Sequence, residues 1–377
     1  MDAHIVTAIV EGQEVEGWQS GNIESSMITA ADSFVLRIPF SLTAWRTLRR
    51  DARITIMADG VPLLDGFIDK RKKSTRAGVI EIEGRDRVGR LADESAPAID
   101  YSGMEILEAI RRLASPWFDT VTLSNARNRR IRRGKGRRVA SGTEPVVTIN
   151  VRVPRNGRVH PGQTRWQLIH EIAGRAGLIV YSSSDGKELF VGKPNHNQAA
   201  QYLFAVGKPG SSTRTTVRDL TIIEDDGDRF SLIMCGGVGG QTDTNYGKNI
   251  TDNRGVVFDN PFNTLDGTGR DFIHPKRMYM PERAFSSNND AQNVATLEKN
   301  RRDYKRHVIS VESDMFGQLI GTGEPTFFCP DAVARVIDEE SELDDLYLVS
   351  SCSYSFDRDN ADTTVMHMVP VGTEIVL

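Results

Sequence analysis

The densest group of chemically active side chains is a basic run, RNRRIRRGKGRR, from Arg127 to Arg138. Guanidinium groups bind carboxylates and phosphates through paired hydrogen bonds. Three uses of the run stay open: a solvated loop, docking onto an acidic protein surface, or neutralisation of nucleic-acid phosphates. It holds no aromatic residue of the kind that stacks on single-stranded bases. We treat its eight basic residues as a candidate protein-contact loop: Arg127, Arg129, Arg130, Arg132, Arg133, Lys135, Arg137 and Arg138.

Enzyme motifs occur only as fragments. His170 and Glu171 begin like the zinc-protease motif HExxH, but Gly174 stands where the second histidine is required. His170 is therefore predicted to be a helix-surface residue. The run GGVGGQ at Gly236–Gln241 lacks the Lys-Ser/Thr pair of a phosphate loop and is predicted to be a flexible corner of a β-barrel. No GxSxG nucleophile motif is present. We predict no catalytic, cofactor-binding or metal-binding residues, and no cofactor.

Acidic residues cluster late in the chain. Asp225-Asp226 and Asp344-Asp345 are predicted to lie in turns, where aspartate is common. The second pair ends a compact acidic run, DEESELDD, at Asp338–Asp345. Two carboxylates can serve a glycosidase when they face each other across a cleft, and nothing in the sequence brings these pairs together.

Composition limits the class of protein. A chain of 377 residues suits two to four modules. The eight basic residues of the basic run leave 39 others against 51 acidic residues, so the remainder is clearly acidic. No apolar run approaches the roughly 20 residues of a membrane span, and the N-terminal segment does not resemble a secretion signal. Cys235, Cys329 and Cys352 are odd in number and lack CxxC spacing, so we expect free thiols in a reducing compartment.

The first ninety residues read as a small antiparallel sheet or barrel. Ser33–Phe40 alternates apolar and polar residues, and Asp59-Gly60 is a strong hairpin signal between two further strands. The strand at Ile80–Glu83 then turns into a helical period at Gly84-Arg85-Asp86. Asp86 is expected to accept amide hydrogens of this turn, and Arg85 to form a salt bridge or a subunit contact.

The middle of the chain mixes helices and strands. Ser102 with Glu105, and Thr164 with Gln167, are each predicted to form a capping box at the start of a helix. The first helix is expected to stop at Pro116 and the second at Gly177. A strand is predicted at Val146–Val153, and a hairpin around Asp185-Gly186 follows the second helix.

The last part of the chain returns to strand periodicity. Tyr202–Val238 alternates, whereas Gly239–Pro281 has little periodicity and is predicted to be an extended insertion outside any core. A thinly amphipathic helix is predicted from Asp290 to about Arg306, capped by Ser287. The final predicted strands are Val308–Ser313, Ala332–Ile337, Leu346–Phe356 and Thr363–Pro370.

Three local patterns carry a family resemblance. IEIEGRDRVGRLADESA, from Ile80 to Ala96, has a strand ending in Gly-Arg-Asp and a helix ending near D-x-S-A. A helix ending in Ala-Gly-Leu precedes the Asp185-Gly186 hairpin, and the last hairpin closes on T-x-x-x-x-x-V-P at Thr363–Pro370. In this order, the patterns resemble the baseplate hub proteins of Mu-type contractile phage tails.

The resemblance implies a mainly β fold with α/β additions: two small antiparallel, tube-like β-barrel domains plus inserted mixed domains. The expected domains are a first barrel at residues 1–95 and a mixed α/β domain with the basic run at 96–201. A second barrel would combine 202–238 with 307–377, and an inserted loop-and-helix region would occupy 239–306.

The resemblance also implies a function. Hub proteins of this type are structural virion proteins that form a homotrimer, adapt a sixfold tail tube to a threefold central spike, and leave a channel for genome passage. Expected partners are the tail tube or an adaptor ring, the spike, and further candidates among baseplate wedge proteins and the tape measure protein. No membrane, no sequence-specific nucleic acid and no enzymatic activity are expected, with assembly in the bacterial cytoplasm into the virion tail baseplate. The channel wall should not attract DNA, so the basic run should not line it.

Two alternatives belong to other classes. A tail-associated peptidoglycan hydrolase would clear cell-wall substrate, and a nucleic-acid-binding protein using Arg127–Arg138 would bind heparin in a strongly salt-dependent way.

Overall fold

Strands make up most of the ordered elements. The computed structural model describes residues 4–124, 153, 159–237, 253–258, 276–281, 288–320, 324–358, 360–373 and 375. The strands are β1 (Val6–Val10), β2 (Gln13–Val15), β3 (Ser20–Ser26), β4 (Ser33–Pro39), β5 (Arg53–Ala58), β6 (Val61–Ser74), β7 (Val79–Asp86), β8 (Thr120–Ser124), β9 (Ile179–Ser182), β10 (Glu188–Gly192), β11 (Tyr202–Val206), β12 (Asp219–Glu224), β13 (Leu232–Gly237), β14 (Asn253–Phe258), β15 (Arg277–Pro281), β16 (His307–Ser313), β17 (Gly317–Ile320), β18 (Glu324–Phe327), β19 (Val333–Asp338), β20 (Leu343–Asp357) and β21 (Asn360–Pro370). The helices are α1 (Leu42–Thr47), α2 (Val88–Asp93), α3 (Ile106–Ala114), α4 (Arg165–Arg175) and α5 (Asn288–Asp303). The expectation of a mainly β fold is confirmed.

One long sheet joins the two ends of the chain. Its strand order is β12-β16-β21-β20-β3-β4-β7-β6-β5-β1-β2, and β19 and β11 attach beside β20. The join is the antiparallel pairing of β3 with β20, in which Ser26 lies opposite Ser351 and Ser20 opposite Asp357. We call this pairing the seam. The seam joins the strands predicted near the start of the chain and those predicted near its end into a single sheet.

The long sheet has one apolar face and one polar face. In β7 the buried residues Ile80 and Ile82 alternate with Glu81 and Glu83, as predicted from the sequence. The same alternation recurs in β4, β20 and β21, so the apolar side chains of both groups of strands contribute to one core. The second hydrophobic core lies among α2, α3, α4 and the mixed three-stranded sheet β8-β10-β9.

Gly84 is the point where β7 can approach its neighbours closely. A Cβ atom at this position would lie 2.1 Å from the carbonyl oxygen of Phe67 and 2.5 Å from Cζ of Phe34. Replacing Gly84 with alanine is therefore expected to lower the free energy of unfolding by about 3 kcal/mol, measured by urea denaturation. Gly174→Ala is the matched control, because nothing lies within 4 Å of its added Cβ and alanine favours the helix. Equal effects of the two substitutions would contradict the packing argument.

The predicted helix starts have different outcomes. The Thr164 capping box is confirmed, with the Thr164 side chain and Gln167 bonding each other's backbone amides. The Ser102 capping box is wrong, because α3 begins at Ile106 and no side chain caps it. The amide of Ser102 instead donates to the Asp100 carboxylate at 2.9 Å, and Gly103 has a φ of 72°, which is not helical. The predicted stops before Pro116 and at Gly177 are confirmed, and the predicted strand at Val146–Val153 lies outside the described residues except for Val153.

Part of the chain forms a second compact unit. The first unit comprises Met1–Ile222 with Ile309–Gly372, and the second comprises Ile223–Val308 with Thr373–Leu377. In the second unit β13 lies between β14 and β15, and α5 packs on this sheet through Ala291 and Ala295. Gly255 allows the close contact, since a Cβ there would lie 2.2 Å from the Ala291 carbonyl. The expectation that Gly239–Pro281 holds no core element is wrong for β14 and β15, whose apolar runs are too short to show periodicity.

The two acidic pairs lie in different structures. Asp225 accepts a hydrogen bond from the Gly227 amide at 2.7 Å, which confirms a turn. The prediction of a turn at Asp344-Asp345 is wrong, because both residues belong to β20 and lie opposite Ile337 and Val336. The Arg335 guanidinium holds Asp344 at 2.6 and 2.7 Å, so the acidic run folds back as a hairpin.

The predicted domain limits stay predictions.

Candidate functional site: the polar face of the long sheet

The residues selected for their chemistry do not come together in the described part of the chain. The basic run Arg127–Arg138 lies outside the described residues. His170 is half-buried on α4. Gly236 and Gly237 end β13 as paired strand residues, and the rest of the run Gly236–Gln241, predicted as a barrel corner, lies outside the described residues. The three cysteines are free and buried, as expected. Within the described ranges, no group of three or more His, Cys, Asp or Glu residues is placed to hold a metal ion. Among the described helices, none is both long enough and apolar enough to cross a membrane.

In the described part of the chain, polar side chains converge over an extended area on the polar face of the long sheet. Cross-strand partners align its side chains in three rows that pass over the seam. The rows are Asp357–Ser20–Arg37–Glu81–Lys72, Ser355–Asn22–Val35–Glu83–Lys70, and Ser353–Glu24–Ser33–Arg85. We call this surface the seam face.

The centre of the seam face carries small polar side chains together with the carboxylate of Glu24. The hydroxyls of Ser353 and Ser355 donate to Oδ1 of Asn22 at 2.9 and 3.2 Å, and thereby cross the seam. The Ser33 hydroxyl donates to Glu24 at 3.1 Å. These groups bond one another, and Glu24 places a carboxylate opposite Ser353.

Charged residues at one side of the seam face neutralise one another. Lys72 donates to Glu81 at 2.8 Å and also to Glu83, and Lys70 donates to Glu83 at 3.0 Å. The lysine ammonium groups, Lys72 first, lower the pKa of Glu83 to about 2. Lys72 and then Arg37 lower the pKa of Glu81 as well. Exposed ion pairs of this kind add little stability. Because the lysines alternate with glutamates, this side of the face is a surface of alternating charge rather than a cationic patch.

A cleft opens over the seam. Its volume is about 500 Å³, and its walls come from strands on both sides of the seam. Arg218 also lines the cleft and pairs with Glu312 at 3.1 Å. The polar lining residues include Asn22, Arg37, Arg218, Glu312 and Asn360. The face is therefore concave where the two groups of strands meet.

The Gly-Arg-Asp corner anchors the sheet to the mixed helical region. Arg85 binds Asp69 at 2.7 Å and Asp93 at 2.7 and 3.1 Å, which confirms the expected salt bridge. Asp86 accepts from the Val88 amide at 3.0 Å, as predicted, and bonds the Ser182 hydroxyl of β9. Burial, and then the nearby negative charge of Asp32, raise the pKa of the Asp86 carboxyl well above its ordinary value.

Asp86 gives a pH dependence with a definite sign. Because its folded-state pKa is raised, the native state binds the proton more tightly than the unfolded state, and stability falls as pH rises from about 4 through the folded pKa. Asp86→Asn keeps the shape and removes this loss, so its stability relative to wild type should increase between pH 4 and pH 8. Asp93→Asn is the control: because Arg85 lowers the pKa of Asp93, its stability relative to wild type should decrease only as pH rises in the range below about 4 and should stay nearly level between pH 4 and pH 8. Parallel pH profiles from urea titrations of the two variants would refute the assignment.

Sequence reasoning missed the seam face. The available signal was weak: SGNIESS in β3 and SSCSYSFD in β20 both alternate small polar residues with larger apolar ones. A serine-rich strand usually suggests an ordinary exposed surface. Only the pairing of two such strands from opposite ends of the chain assembles the polar rows.

Comparisons with known proteins agree with the predicted resemblance. Residues 5–86 match the family described as Mu phage baseplate assembly protein GpP-like, N-terminal. No curated protein matches the chain. The tail protein from Neisseria meningitidis MC58 is 20% identical with a TM-score of 0.73, covering 99% of this chain and 98% of that chain. The 43 kDa tail protein of prophage MuSo2 from Shewanella oneidensis is 15% identical with a TM-score of 0.70, covering 98% of each chain.

A third solved structure extends the fold to secretion systems. An Escherichia coli component of the type VI secretion system, described as similar to T4 bacteriophage tail proteins gp27 and gp5, is 8% identical with a TM-score of 0.50. The match covers 98% of this chain and 78% of that chain. At these identities the structures establish the fold. Together with the family match of residues 5–86, they confirm the resemblance to Mu-type baseplate proteins that the sequence patterns predict.

Proposed function

We propose that this protein is a structural, non-enzymatic component of a phage-type tail baseplate: a homotrimeric hub that adapts a sixfold tail tube to a threefold central spike. The match of residues 5–86 to a baseplate assembly family, and the fold shared with Mu-type tail proteins, support the baseplate assignment. The expected partners are the tail tube or adaptor ring and the spike, with the protein located in the virion tail after assembly in the host cytoplasm.

The observation that carries the hub proposal is the arrangement of strands about the seam. The four strands nearest the seam are β12-β16-β21-β20 on one side and β3-β4-β7-β6 on the other, and the sheet continues beyond β6 to β5, β1 and β2. Three copies would contribute six such groups around an axis. Closed rotational symmetry of this kind lets a threefold assembly present a sixfold pattern of strands to a neighbouring ring.

The seam face is the surface that we assign to the channel wall. Its centre carries serine and asparagine side chains beside the carboxylate of Glu24, and Lys70 and Lys72 are paired with glutamates. A polyanion is retained by a surface whose free cationic groups displace the counterions condensed on the polyanion. A self-neutralised wall offers no such groups and therefore lets DNA pass without retention. The basic run Arg127–Arg138 is proposed to lie away from this wall and to contact an acidic protein surface.

The mass of the protein in solution tests the proposal. Three chains of 41.8 kDa predict about 125 kDa, and negative-stain images should show a ring with a central opening. A mixture with tail-tube protein should promote the ring if the hub alone stays dissociated. A monomer that forms no ring under either condition, or clearing of cell-wall substrate in a zymogram, would overturn the proposal.

A further inference from the structure

A dense group of basic side chains lies where β4 and β6 end. It is formed by α1 with the residues beside it and by the turn between β6 and β7. The Phe40 amide donates to the Gly78 carbonyl at 2.7 Å, and the Lys73 ammonium lies 3.8 Å from the centre of the Phe40 ring, so these segments are adjacent. We call this surface the basic cap. Its cationic residues, all exposed except the half-buried Arg71, are Arg46, Arg49, Arg50, Arg71, Lys73 and Arg76.

The charges of the basic cap are not neutralised within the chain. Phe40–Arg50 and Arg71–Val79 contain no acidic residue, and within the described residues none of the six cations pairs with a carboxylate. Arg71 donates instead to the carbonyl oxygens of Trp45 and Leu48, at 2.6 and 3.1 Å. Burial, and then the positive charge of Arg50, lower the pKa of Arg71. Like charges held close together repel one another, and an anionic partner relieves that repulsion.

Apolar side chains lie among these cations. Leu42 is 57% exposed and Phe40 is 37% exposed. The half-buried Trp45 ring lies beneath the Arg71 guanidinium, at 3.5 Å from ring centre to Cζ. Phosphate groups of duplex DNA would bind the cations but leave Leu42 and Phe40 in water, so the apolar residues favour a different partner.

A partner that suits the whole basic cap has a layer of anions with an apolar layer directly behind it. An anionic phospholipid bilayer has this order, with phosphate groups at its surface and acyl chains beneath them. Its headgroups are fluid, so they can neutralise flexible arginine and lysine side chains without a fixed register. An acidic protein would have to hold a carboxylate opposite each guanidinium group.

We propose that the basic cap binds the surface of an anionic phospholipid bilayer, with its cations at the phosphate groups and with Leu42 and Phe40 inserted at the boundary of the acyl chains. The inference goes beyond the proposed hub function and does not depend on it. It departs from the expectation of no membrane partner, because attachment to one face of a bilayer requires no spanning segment.

Co-sedimentation of the full chain with vesicles tests the proposal. The protein should bind vesicles of phosphatidylglycerol and phosphatidylethanolamine at low salt, and should not bind phosphatidylcholine vesicles. The net charge of the chain is -4, so binding to an anionic surface requires a local site. Arg46→Ser with Arg49→Ser and Arg76→Ser should weaken binding about 100-fold, because each basic residue near an anionic bilayer contributes about fivefold.

An equal loss of charge elsewhere is the matched control. Arg112, Arg301 and Arg335 are exposed, and each lies within ion-pair distance of a carboxylate. Replacing all three with serine should change vesicle binding less than about twofold, because their charges are already paired. Circular dichroism identifies any variant that does not fold. Equal losses in the folded control and the folded cap variant would contradict a local site.

A variant of the basic run separates that segment from the basic cap. This variant should still bind anionic vesicles, and it replaces four arginines with serine: Arg129, Arg130, Arg132 and Arg133. Loss of binding in this variant, with binding retained by the cap variant, would overturn the assignment. Binding of tail-tube protein through the cap, without binding to vesicles, would identify an acidic protein as the partner and overturn the lipid proposal.

A fluorescent label measures insertion directly. The three native cysteines are buried, so an environment-sensitive dye on Leu42→Cys should react at that position alone and shift its emission to the blue on anionic vesicles. Leu346→Cys is the control, because this leucine is 44% exposed and lies next to the acidic run Asp338–Asp345. Equal emission changes at the two positions, or wild-type protein that binds no anionic vesicles, would overturn the proposal. The hub proposal has its own tests, in the mass and the ring.

Discussion

Replacing Asp65 with alanine is expected to lower the free energy of unfolding by about 3–5 kcal/mol. Asp65 is only 2% exposed and accepts three hydrogen bonds at its carboxylate. The donors are Nε of Arg87 at 2.7 Å, Oγ1 of Thr55 at 2.6 Å and Nη2 of Arg53 at 3.1 Å. Without the carboxylate, the nearly buried Arg87 guanidinium keeps, among the described residues, the Trp117 carbonyl at 3.1 Å. A buried cation without its counter-charge accounts for the size of the loss.

Asp344→Ala is the matched control for this prediction. Asp344 also binds an arginine with two hydrogen bonds, but both side chains of the Asp344–Arg335 pair are 51% exposed. Its removal should cost less than about 1 kcal/mol. Urea denaturation followed by tryptophan fluorescence measures both variants. Similar losses would show that burial of Asp65 does not set the cost.

Local features of the fold could be predicted from the sequence because they depend on neighbouring residues. The Asp59-Gly60 hairpin is confirmed, and both residues have positive φ, at 49° and 78°. The alternation of Ile80 and Ile82 with polar residues in β7 depends on side chains only a few positions apart. The same holds for the capping of α4 by Thr164. The Ser102 box failed for a local reason too, since Gly103 turns the backbone away from a helix before the cap can form.

The seam could not be predicted from the sequence, because strand periodicity does not identify a partner. Asn22 and Ser353 are 331 positions apart, yet they form one hydrogen bond across β3 and β20. The assignment of β13 shows the same limit: its alternation predicted a strand, but not its pairing with β14 and β15.

The roles of the buried carboxylates Asp65 and Asp86 could not be predicted from the sequence either. Nothing in the sequence distinguishes Asp65, which lies in the core of an ion-pair network, from the many exposed aspartates. Asp86 was identified as a turn residue, whereas its burial and its bond to Ser182 depend on the β9 hairpin packing against the corner. These properties arise from long-range packing, and only the assembled fold reveals them.

Replacing Ser353 and Ser355 with arginine is expected to reduce the ratio of infectious units to assembled particles about tenfold or more. The two serines lie at the centre of the seam face, beside Asn22, with no carboxylate among their direct hydrogen-bond partners in the described residues. In a trimer the change would add six guanidinium groups around the proposed channel, three at position 353 opposite Glu24 and three at position 355 opposite the uncharged Asn22. A guanidinium group that binds a DNA phosphate displaces counterions from the DNA, and the passing genome would be retained.

Particle counts by electron microscopy and titres of infectious units measure the effect separately. Ser353→Gln with Ser355→Gln is the control, because glutamine narrows the channel without adding charge. The arginine variant should recover as salt is raised during genome release, since phosphate contacts weaken steeply with ionic strength. Full infectivity of intact arginine particles would show that the seam face does not line the channel. An equal, salt-insensitive loss in the glutamine particles would trace the effect to the width of the channel, and the self-neutralised rows of the seam face would then have a role in assembly rather than in passage.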